Sequence, residues 1–162
     1  MLNNLLSVIV PAYNEAEVIE EFHQRITVVM GEIDYDYEIV YVDDGSQDDT
    51  LAILNKLRET DPHISIVDLS RNFGKEIAMS AGLDHCIGDA VIVIDADLQD
   101  PPELIPDFIQ EWKNGYDVIY AQRIKREGES WLKKKSAESF YKLLWRLSNV
   151  EIPKDTGDFR LL

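Results

Sequence analysis

Two aspartates separated by one residue, Asp95 and Asp97, follow a short apolar stretch of the chain. A second acidic pair, Asp43 and Asp44, follows another apolar stretch. Carboxylates crowded in this way repel each other unless a cation neutralises them or one of them takes a proton. Their oxygen atoms suit Mg²⁺ or Mn²⁺, which usually bind through one or two protein carboxylates together with substrate phosphates. The pattern therefore predicts a site for a divalent metal and a diphosphate.

Basic side chains occupy comparable positions after other apolar stretches. Arg71 and Lys75 follow one of them, and Arg123 follows another. Guanidinium and ammonium groups bind phosphate oxygens well, so we expect them to hold phosphate, although each could also serve as an ordinary surface ion-pair partner. Further aspartates in the same turns are interpreted as helix caps: Asp48, Asp49 and Asp100.

The apolar stretches alternate with segments of helical periodicity. Strands are predicted at residues 5–10, 37–42, 64–69, 90–94 and 118–121, and helices at 16–31, 48–60, 75–86 and 102–114. Strands that are apolar nearly throughout and are joined by helices indicate a parallel sheet covered on both faces. The predicted fold class is therefore α/β, a doubly wound, mostly parallel sheet flanked by helices. A capping box at residues 46–49 is predicted to open the second helix.

Ligands of such sheets bind in the crevice beyond the carboxyl ends of the strands. Five successive predicted strand ends carry polar or charged residues, which is a costly arrangement unless something binds there. The sequence contains neither G-x-G-x-x-G nor G-x-x-x-x-G-K-[ST]. It therefore lacks the usual support for a dinucleotide dehydrogenase or a P-loop NTPase.

Composition limits the function classes further. The net charge is −15, with 6 Lys and Arg against 25 Asp and Glu in residues 1–122, and 10 against 6 in residues 123–162. The acidic balance argues against nucleic acid as a partner. The single cysteine, Cys86, excludes a disulfide within the chain and a Cys-rich zinc site. No apolar run approaches the roughly 20 residues that cross a bilayer, so we expect a soluble, cytoplasmic chain.

Three motifs carry a family resemblance: VIVPAYNE at residues 8–15, VDDGSQDDT at 42–50 and DADLQDPPE at 95–103. They resemble the motifs of family 2 glycosyltransferases, which have the GT-A fold, a Rossmann-like nucleotide-sugar-binding fold. Further stretches are similar to polyprenyl-phosphate sugar transferases of the bactoprenol glucosyltransferase and dolichol-phosphate mannose synthase type: NFGK at 72–75, DLQDPP at 97–102, GYDV at 115–118 and GDFR at 157–160. The resemblance covers essentially the whole chain.

The resemblance implies an inverting, metal-dependent hexosyltransferase of cell-envelope biosynthesis. It would move a sugar, with UDP-glucose the preferred donor, to a polyprenyl phosphate at the cytosolic membrane face. The implied nucleotide-sugar-binding residues are Pro11, Tyr13, Asn14, Glu15, Asp43, Asp44, Arg71, Lys75, Asp95 and Arg123. The implied catalytic residues are Asp95, Asp97, Gln99 and Asp158, and Asp97 with Asp95 would hold the Mg²⁺ or Mn²⁺. A phosphate acceptor, largely ionised at neutral pH, would need little help from a general base.

We expect one catalytic domain over residues 1–162, with the nucleotide-sugar-binding half in 1–123. Residues 124–162 would form a basic, amphipathic segment that faces the acceptor and an anionic membrane surface, although its helix could instead pack on the sheet. The resemblance implies that the catalytic domain continues past Leu162 and, in the bacterial glucosyl type, into membrane-spanning helices. Whether the chain forms a homo-oligomer is left open.

Three alternatives remain open from the sequence. The chain could be a GDP-mannose-dependent polyprenyl-phosphate mannosyltransferase, or a family 2 transferase that builds a polysaccharide. Processive synthases of the second kind would carry a Gln-x-x-Arg-Trp motif, which does not occur in these residues. From another class, it could be a non-catalytic, receiver-like domain that binds metal or nucleotide. That class needs an acidic pair after the first strand, where this sequence has Tyr13, Asn14 and Glu15.

Overall fold

A computed structural model describes residues 5–122 and 156–162 of the chain. Strands and helices alternate from the start, as predicted: β1 (Leu5–Ala12), α1 (Ile19–Gly31), β2 (Asp36–Asp43), α2 (Thr50–Thr60), β3 (Ile64–Asp68), α3 (Lys75–His85) and β4 (Ala90–Val93). A 3-10 turn (Pro102–Leu104) then leads into α4 (Ile105–Lys113), which is followed by β5 (Ile119–Gln122) and β6 (Thr156–Leu161).

The strands form one sheet in the order β3-β2-β1-β4-β6-β5. β1 pairs in parallel with β2 on one side and with β4 on the other, and β2 pairs in parallel with β3. β6, which the sequence analysis did not predict, runs antiparallel to β4. The predicted α/β class with a mostly parallel sheet is therefore confirmed.

Helices cover both faces of the sheet. On one face α3 meets side chains of β1, β2 and β4 in a buried cluster: Ile9, Val40, Val42, Ala78 and Val93. A Cβ atom on Gly82 of α3 would lie 2.4 Å from the Cγ2 atom of Ile9, so glycine is what permits this close approach. On the opposite face Tyr41 of β2, fully buried, hydrogen-bonds His23 of α1, as the alternation of side chains along a strand requires.

Some predicted helix starts were wrong. The capping box at residues 46–49 does not form, because α2 begins at Thr50 without a side-chain cap and the Ser46 hydroxyl instead accepts a hydrogen bond from the Asn14 N–H. The first helix begins at Ile19 rather than at residue 16, after a turn in which the Glu15 carbonyl accepts two backbone hydrogen bonds. The helix predicted at 102–114 is divided into the 3-10 turn and α4.

The chain divides into two compact units, one of Met1–Tyr120 with Asp158–Leu162 and one of Ala121–Gly157. Most of the second unit lies outside the described residues, as do Arg123 and the predicted amphipathic helix. The single domain and its two halves therefore stay predictions. Among the described residues, no helix is both long and apolar enough to cross a membrane.

Candidate active site

A cavity of about 320 Å³ opens at the carboxyl ends of the central strands. Most of the residues predicted to form the site line it: Pro11, Tyr13, Glu15, Asp44, Lys75, Asp95 and Asp97. The sequence analysis missed other lining residues, namely Ala12, Asn72, Gly74, Ala78 and Ala96. The motif NFGK at residues 72–75 already pointed to Asn72 and Gly74. The alanines have no functional group that would identify them as site residues.

Lys75, the first residue of α3, links the loop after β4 to β6 at the edge of the cavity. Its Nζ atom donates to Asp95 Oδ2 at 2.6 Å and to Asp158 Oδ2 at 2.5 Å. Asp158 reaches this point from β6, and Arg160 binds its other carboxylate oxygen at 3.1 Å. The structure thus brings Asp158 to the predicted site and adds Arg160, for which no role was predicted.

The charges of this group shift one another's protonation. Burial raises the pKa of Asp95, as do the carboxylates of Asp158 and Asp97, and the Lys75 hydrogen bond opposes the rise only in part. The pKa of Asp158 is lowered, chiefly by its hydrogen bond from Lys75. Burial lowers the pKa of Lys75, but the hydrogen bonds with Asp158 and Asp95 outweigh it, so that this pKa lies above its ordinary value. Lys75 therefore stays positively charged between two carboxylates.

Glu15 adds a further carboxylate to the cavity wall. Its pKa is raised by burial and by the negative charges of Asp97, Asp48 and Asp95. Carboxylates that raise one another's pKa favour a cation between them. The cavity lining therefore favours the binding of a positively charged group.

Asp97 lies in a tight loop. Its Oδ1 atom accepts a hydrogen bond from the Gln99 N–H at 3.0 Å, and Leu98 between them has a left-handed backbone with φ of 62°. Left-handed backbone is uncommon for a residue other than glycine and often marks a functional site. The Gln99 side chain, predicted to be catalytic, is exposed and is not part of the cavity lining.

The two aspartates at the end of β2, Asp43 within the strand and Asp44 directly after it, have different roles. Both oxygens of Asp44, which is buried, accept backbone hydrogen bonds, from Phe73 at 2.8 Å and Gly74 at 2.9 Å, and so hold the loop that leads to α3. Asp43 is 1% exposed, and its Oδ2 atom accepts from the Ser46 N–H. Its Oδ1 atom is buried without a hydrogen-bond partner among the described residues. A buried acceptor left in this state is explained if a ligand supplies the donor.

Four other predicted residues stay outside the cavity lining: Asn14, Asp43, Arg71 and Asp158. Asn14 is exposed and tied to the loop after β2 by the Ser46 hydroxyl and the Gln47 N–H. Arg71 is exposed, with its guanidinium 4.8 Å from the centre of the Phe73 ring.

The carboxylates of the cavity fit a divalent metal that takes some ligands from the protein and others from a substrate. Asp95 and Asp97 offer hard carboxylate oxygens, which Mg²⁺ and Mn²⁺ prefer. Within the described ranges, no group of three or more His, Cys, Asp or Glu side chains could hold a metal ion alone. A metal here would therefore need oxygen ligands from phosphate, as these ions usually do.

Residues 7–162 match the family described as Glycosyl transferase family 2. A relative in Bacillus subtilis (strain 168), "Uncharacterized glycosyltransferase YkcC", is 51% identical over 156 residues, which are 96% of this chain and 48% of the relative. A "Prophage bactoprenol glucosyl transferase homolog" of Escherichia coli (strain K12) is 46% identical over 157 residues, 97% of this chain and 51% of the relative. The chain thus spans about half the length of these curated relatives.

Two solved structures are also similar to this chain. Mannosyltransferase PcManGT from Pyrobaculum calidifontis, in complex with GDP-Man and Mn²⁺, matches with a TM-score of 0.60 and 32% identity, covering 75% of this chain and 35% of its own. TarS 1-349 of S. aureus, in complex with UDP-GlcNAc, matches with a TM-score of 0.57 and 29% identity, covering 77% of this chain and 36% of its own. The receiver-like alternative is thereby overturned. With the GT-A fold and a family match over nearly its whole length, the chain belongs to glycosyl transferase family 2.

Proposed function

We propose that the chain carries the donor site of an inverting, metal-dependent hexosyltransferase that moves glucose from UDP-glucose to a polyprenyl phosphate. The observation that carries the proposal is one cavity lined by Asp95, Asp97, Glu15 and Lys75. The kind of transfer is supported by the 46% identity to a relative named as a bactoprenol glucosyl transferase homolog. The polysaccharide-building alternative has no comparable support.

Asp43 is the group proposed to read the nucleotide base. Its buried Oδ1 atom needs a hydrogen-bond donor, and both uracil and guanine present a ring N–H on the edge that pairs with other bases. We prefer UDP-glucose because the related transferase is named as a glucosyl transferase. The complex of PcManGT with GDP-Man makes GDP-mannose the second candidate.

Asp97 and Asp95 are the proposed metal ligands. A divalent ion bound there would supply positive charge that stabilises the departing nucleoside diphosphate. Lys75 has three N–H donors and uses two of them on Asp95 and Asp158. We propose that the third donates to a phosphate oxygen and orients the donor sugar for attack.

An oxygen of the acceptor phosphate attacks the anomeric carbon directly, and the bond from that carbon to the nucleoside diphosphate breaks as the new bond forms. The displacement inverts the anomeric carbon and passes through no covalent enzyme intermediate. Because a phosphate monoester is largely ionised at pH 7, it needs no general base. Asp158 fits this scheme, since Lys75 and Arg160 both bind it and its pKa is lowered. A carboxylate whose two oxygens each bind a cation is a weak proton acceptor, so we assign Asp158 to positioning Lys75.

The proposed place of action is the inner face of the cell membrane. The excess of Lys and Arg in residues 123–162 suits anionic lipid headgroups. Sedimentation with anionic vesicles and with neutral ones compares the two surfaces directly. Equal binding to both kinds of vesicle would contradict the electrostatic part of this proposal.

The donor site is tested by calorimetric titration with UDP, GDP and UDP-glucose, with and without Mn²⁺. We expect metal-dependent binding of UDP that Asp97→Ala abolishes and that Asp84→Ala, an exposed aspartate in the last turn of α3, leaves unchanged. Preference for GDP would move the donor to GDP-mannose. A chain that circular dichroism shows to be folded, yet that binds no nucleotide, would refute the donor site.

The acceptor is tested by transfer of radiolabelled glucose from UDP-glucose to polyprenyl phosphate, with the unphosphorylated polyprenol as the matched control. We expect label in the phosphate alone. Transfer to a sugar hydroxyl with polyprenyl phosphate inert would overturn the acceptor while leaving the donor site intact.

A further inference from the structure

Three consecutive backbone N–H groups, those of residues 14–16, donate to side chains of the loop between β2 and α2 and of the first residue of α2. The acceptors are Ser46 Oγ at 3.0 Å, Thr50 Oγ1 at 2.8 Å and Asp48 Oδ2 at 3.1 Å. The acceptors alternate along the chain, at every second residue. The loop after β1 is thus held against the loop after β2 and the start of α2 by these three hydrogen bonds, an arrangement we call the loop clamp.

Asp48 is the centre of the loop clamp. While its Oδ2 atom accepts from Ala16, its Oδ1 atom accepts from both the N–H and the hydroxyl of Thr50, at 3.0 and 2.6 Å. Thr50 is fully buried, and this second bond orients its hydroxyl oxygen toward the Glu15 N–H. Burial raises the pKa of Asp48, but the hydrogen bonds from Thr50 and Ala16 outweigh it and leave that pKa below its ordinary value. The carboxylate is therefore present at neutral pH.

The clamped loop has a backbone that would not persist without support. Asn14 is left-handed, with φ of 57°, and its side-chain oxygen accepts from the Gln47 N–H at 2.8 Å. Such a conformation persists where surrounding contacts over-determine it. A row of N–H groups is also a common binding site for anions. Here the protein's own oxygens occupy these donors, so the row serves to fix the loop.

The loop that is fixed carries Tyr13 and Glu15, and both line the donor cavity. The loop that supplies Ser46 and Asp48 begins at Asp44, directly after Asp43 at the end of β2. We propose that Asp48 is a positioning residue for the donor: it touches no substrate, and through Ala16 and Thr50 it orders Tyr13 and Glu15 before the nucleotide arrives. A loop ordered in advance spares binding the entropy of ordering it. This inference rests on the proposed donor site.

The test compares Asp48→Ala with Asp49→Ala, because Asp49 is the exposed neighbour whose side chain makes no capping bond to α2. We expect Asp48→Ala to raise the Kd for UDP in the presence of Mn²⁺ about tenfold, and Asp49→Ala to leave it unchanged. Hydrogen exchange at residues 14–16 should quicken in the first variant alone. Thr50→Val should act as Asp48→Ala does, and Thr50→Ser, which keeps the hydroxyl, should restore wild-type affinity.

Asp48→Asn is the milder variant if the alanine variant does not fold. Its amide keeps one oxygen for Thr50 and loses the second acceptor, so we expect quickened exchange at Ala16 and a smaller rise in Kd. A folded Asp48 variant with faster exchange at 14–16 but the wild-type Kd would overturn this inference alone. Failure of the folded wild-type chain to bind any nucleotide would overturn the inference together with the donor site.

Discussion

Two polar clusters at opposite ends of the sheet differ in how their groups are paired. At the amino end, Ser7 is fully buried, donates to Glu38 Oε1 at 2.5 Å and accepts from the Gly88 N–H at 2.9 Å. The same Glu38 oxygen accepts from the Ile87 N–H at 2.8 Å. The groups of this cluster are mutually paired.

At the carboxyl end, Asp43 has a buried oxygen without a partner among the described residues, and the pKa values of Glu15 and Asp95 are raised. Asn14 and Leu98 adopt left-handed backbone there. Such features lower stability and recur at functional sites. The Ser7 cluster therefore adds stability, whereas the carboxyl end holds charges and strain that a ligand would relieve.

The largest expected effect is on stability, from Gly88→Ala at the amino end. A Cβ atom there would lie 2.6 Å from Ser7 Oγ, 2.7 Å from Ser7 N and 2.8 Å from Leu5 O. Because backbone must move to admit it, we expect a loss of about 3 kcal/mol in the free energy of unfolding, measured with urea. Gly31→Ala is the control, since no atom lies within 4 Å of the added Cβ. Equal stability of the two variants would contradict the close packing at Gly88.

Ser7→Ala should cost less, about 2 kcal/mol, because it leaves the half-buried Gly88 N–H without its acceptor. Ser80→Ala on α3 is the matched control, since Ser80 is exposed and bonds a carbonyl of its own helix. Urea unfolding measures both variants. A change in nucleotide affinity on Ser7→Ala would show that the two ends are not independent.

At the carboxyl end, Lys75→Met removes the cation shared by Asp95 and Asp158. Lys75 is 38% exposed, so solvent screens the pair and we expect a loss of about 1 kcal/mol or less. The pKa of Asp95 should rise further, which carboxyl NMR titration can follow. Lys56→Met, at an exposed position of α2, is the control. An unchanged Asp95 titration would contradict the contact.

The smallest effect has the opposite sign. Because the pKa of Asp95 is raised, the folded chain holds this proton to higher pH than the unfolded chain, and stability falls as pH rises through the titration. Asp95→Asn removes that loss and should stabilise the chain by about 0.5 kcal/mol at pH 7. The gain should vanish below the ordinary carboxyl pKa of 3.8. Destabilisation at pH 7, by urea unfolding, would mean that the Lys75 pair outweighs the repulsion.

Periodicity predicted the parallel core, because its strands are continuous apolar runs separated by helical segments. It also predicted that polar residues after different strands would meet at one edge, since parallel strands bring their carboxyl ends together. Asn14, Asp43, Arg71 and Gln99 nevertheless stay outside the cavity lining. Periodicity did not predict the contacts between residues that are far apart along the chain. Ser46 read as a helix cap, and only the fold reveals that Asn14 uses its hydroxyl. The Asp44 carboxylate likewise holds a loop 29 residues away.

The sequence of β6 does contain the pattern of a strand, although the strand was not predicted. In its sequence, the half-buried Asp158 and Arg160 alternate with the buried Phe159 and Leu161, which is the period of a strand with one covered face. A segment this short has little intrinsic preference for the strand conformation, and its partner β4 lies far away along the chain. The ion pair that it makes with Lys75 could therefore not be anticipated from neighbouring residues.

The antiparallel arrival of β6 also sets an order of events during synthesis. Asp95 follows Lys75 by 20 residues, whereas Asp158 follows it by 83. Since a chain is made from its amino end, the four parallel strands can pair, and Lys75 can engage Asp95, while β6 has yet to be translated. The contact with Asp158 closes the longer loop and is entropically the more demanding. A nascent chain therefore acquires its cavity walls first and the second anchor of Lys75 last.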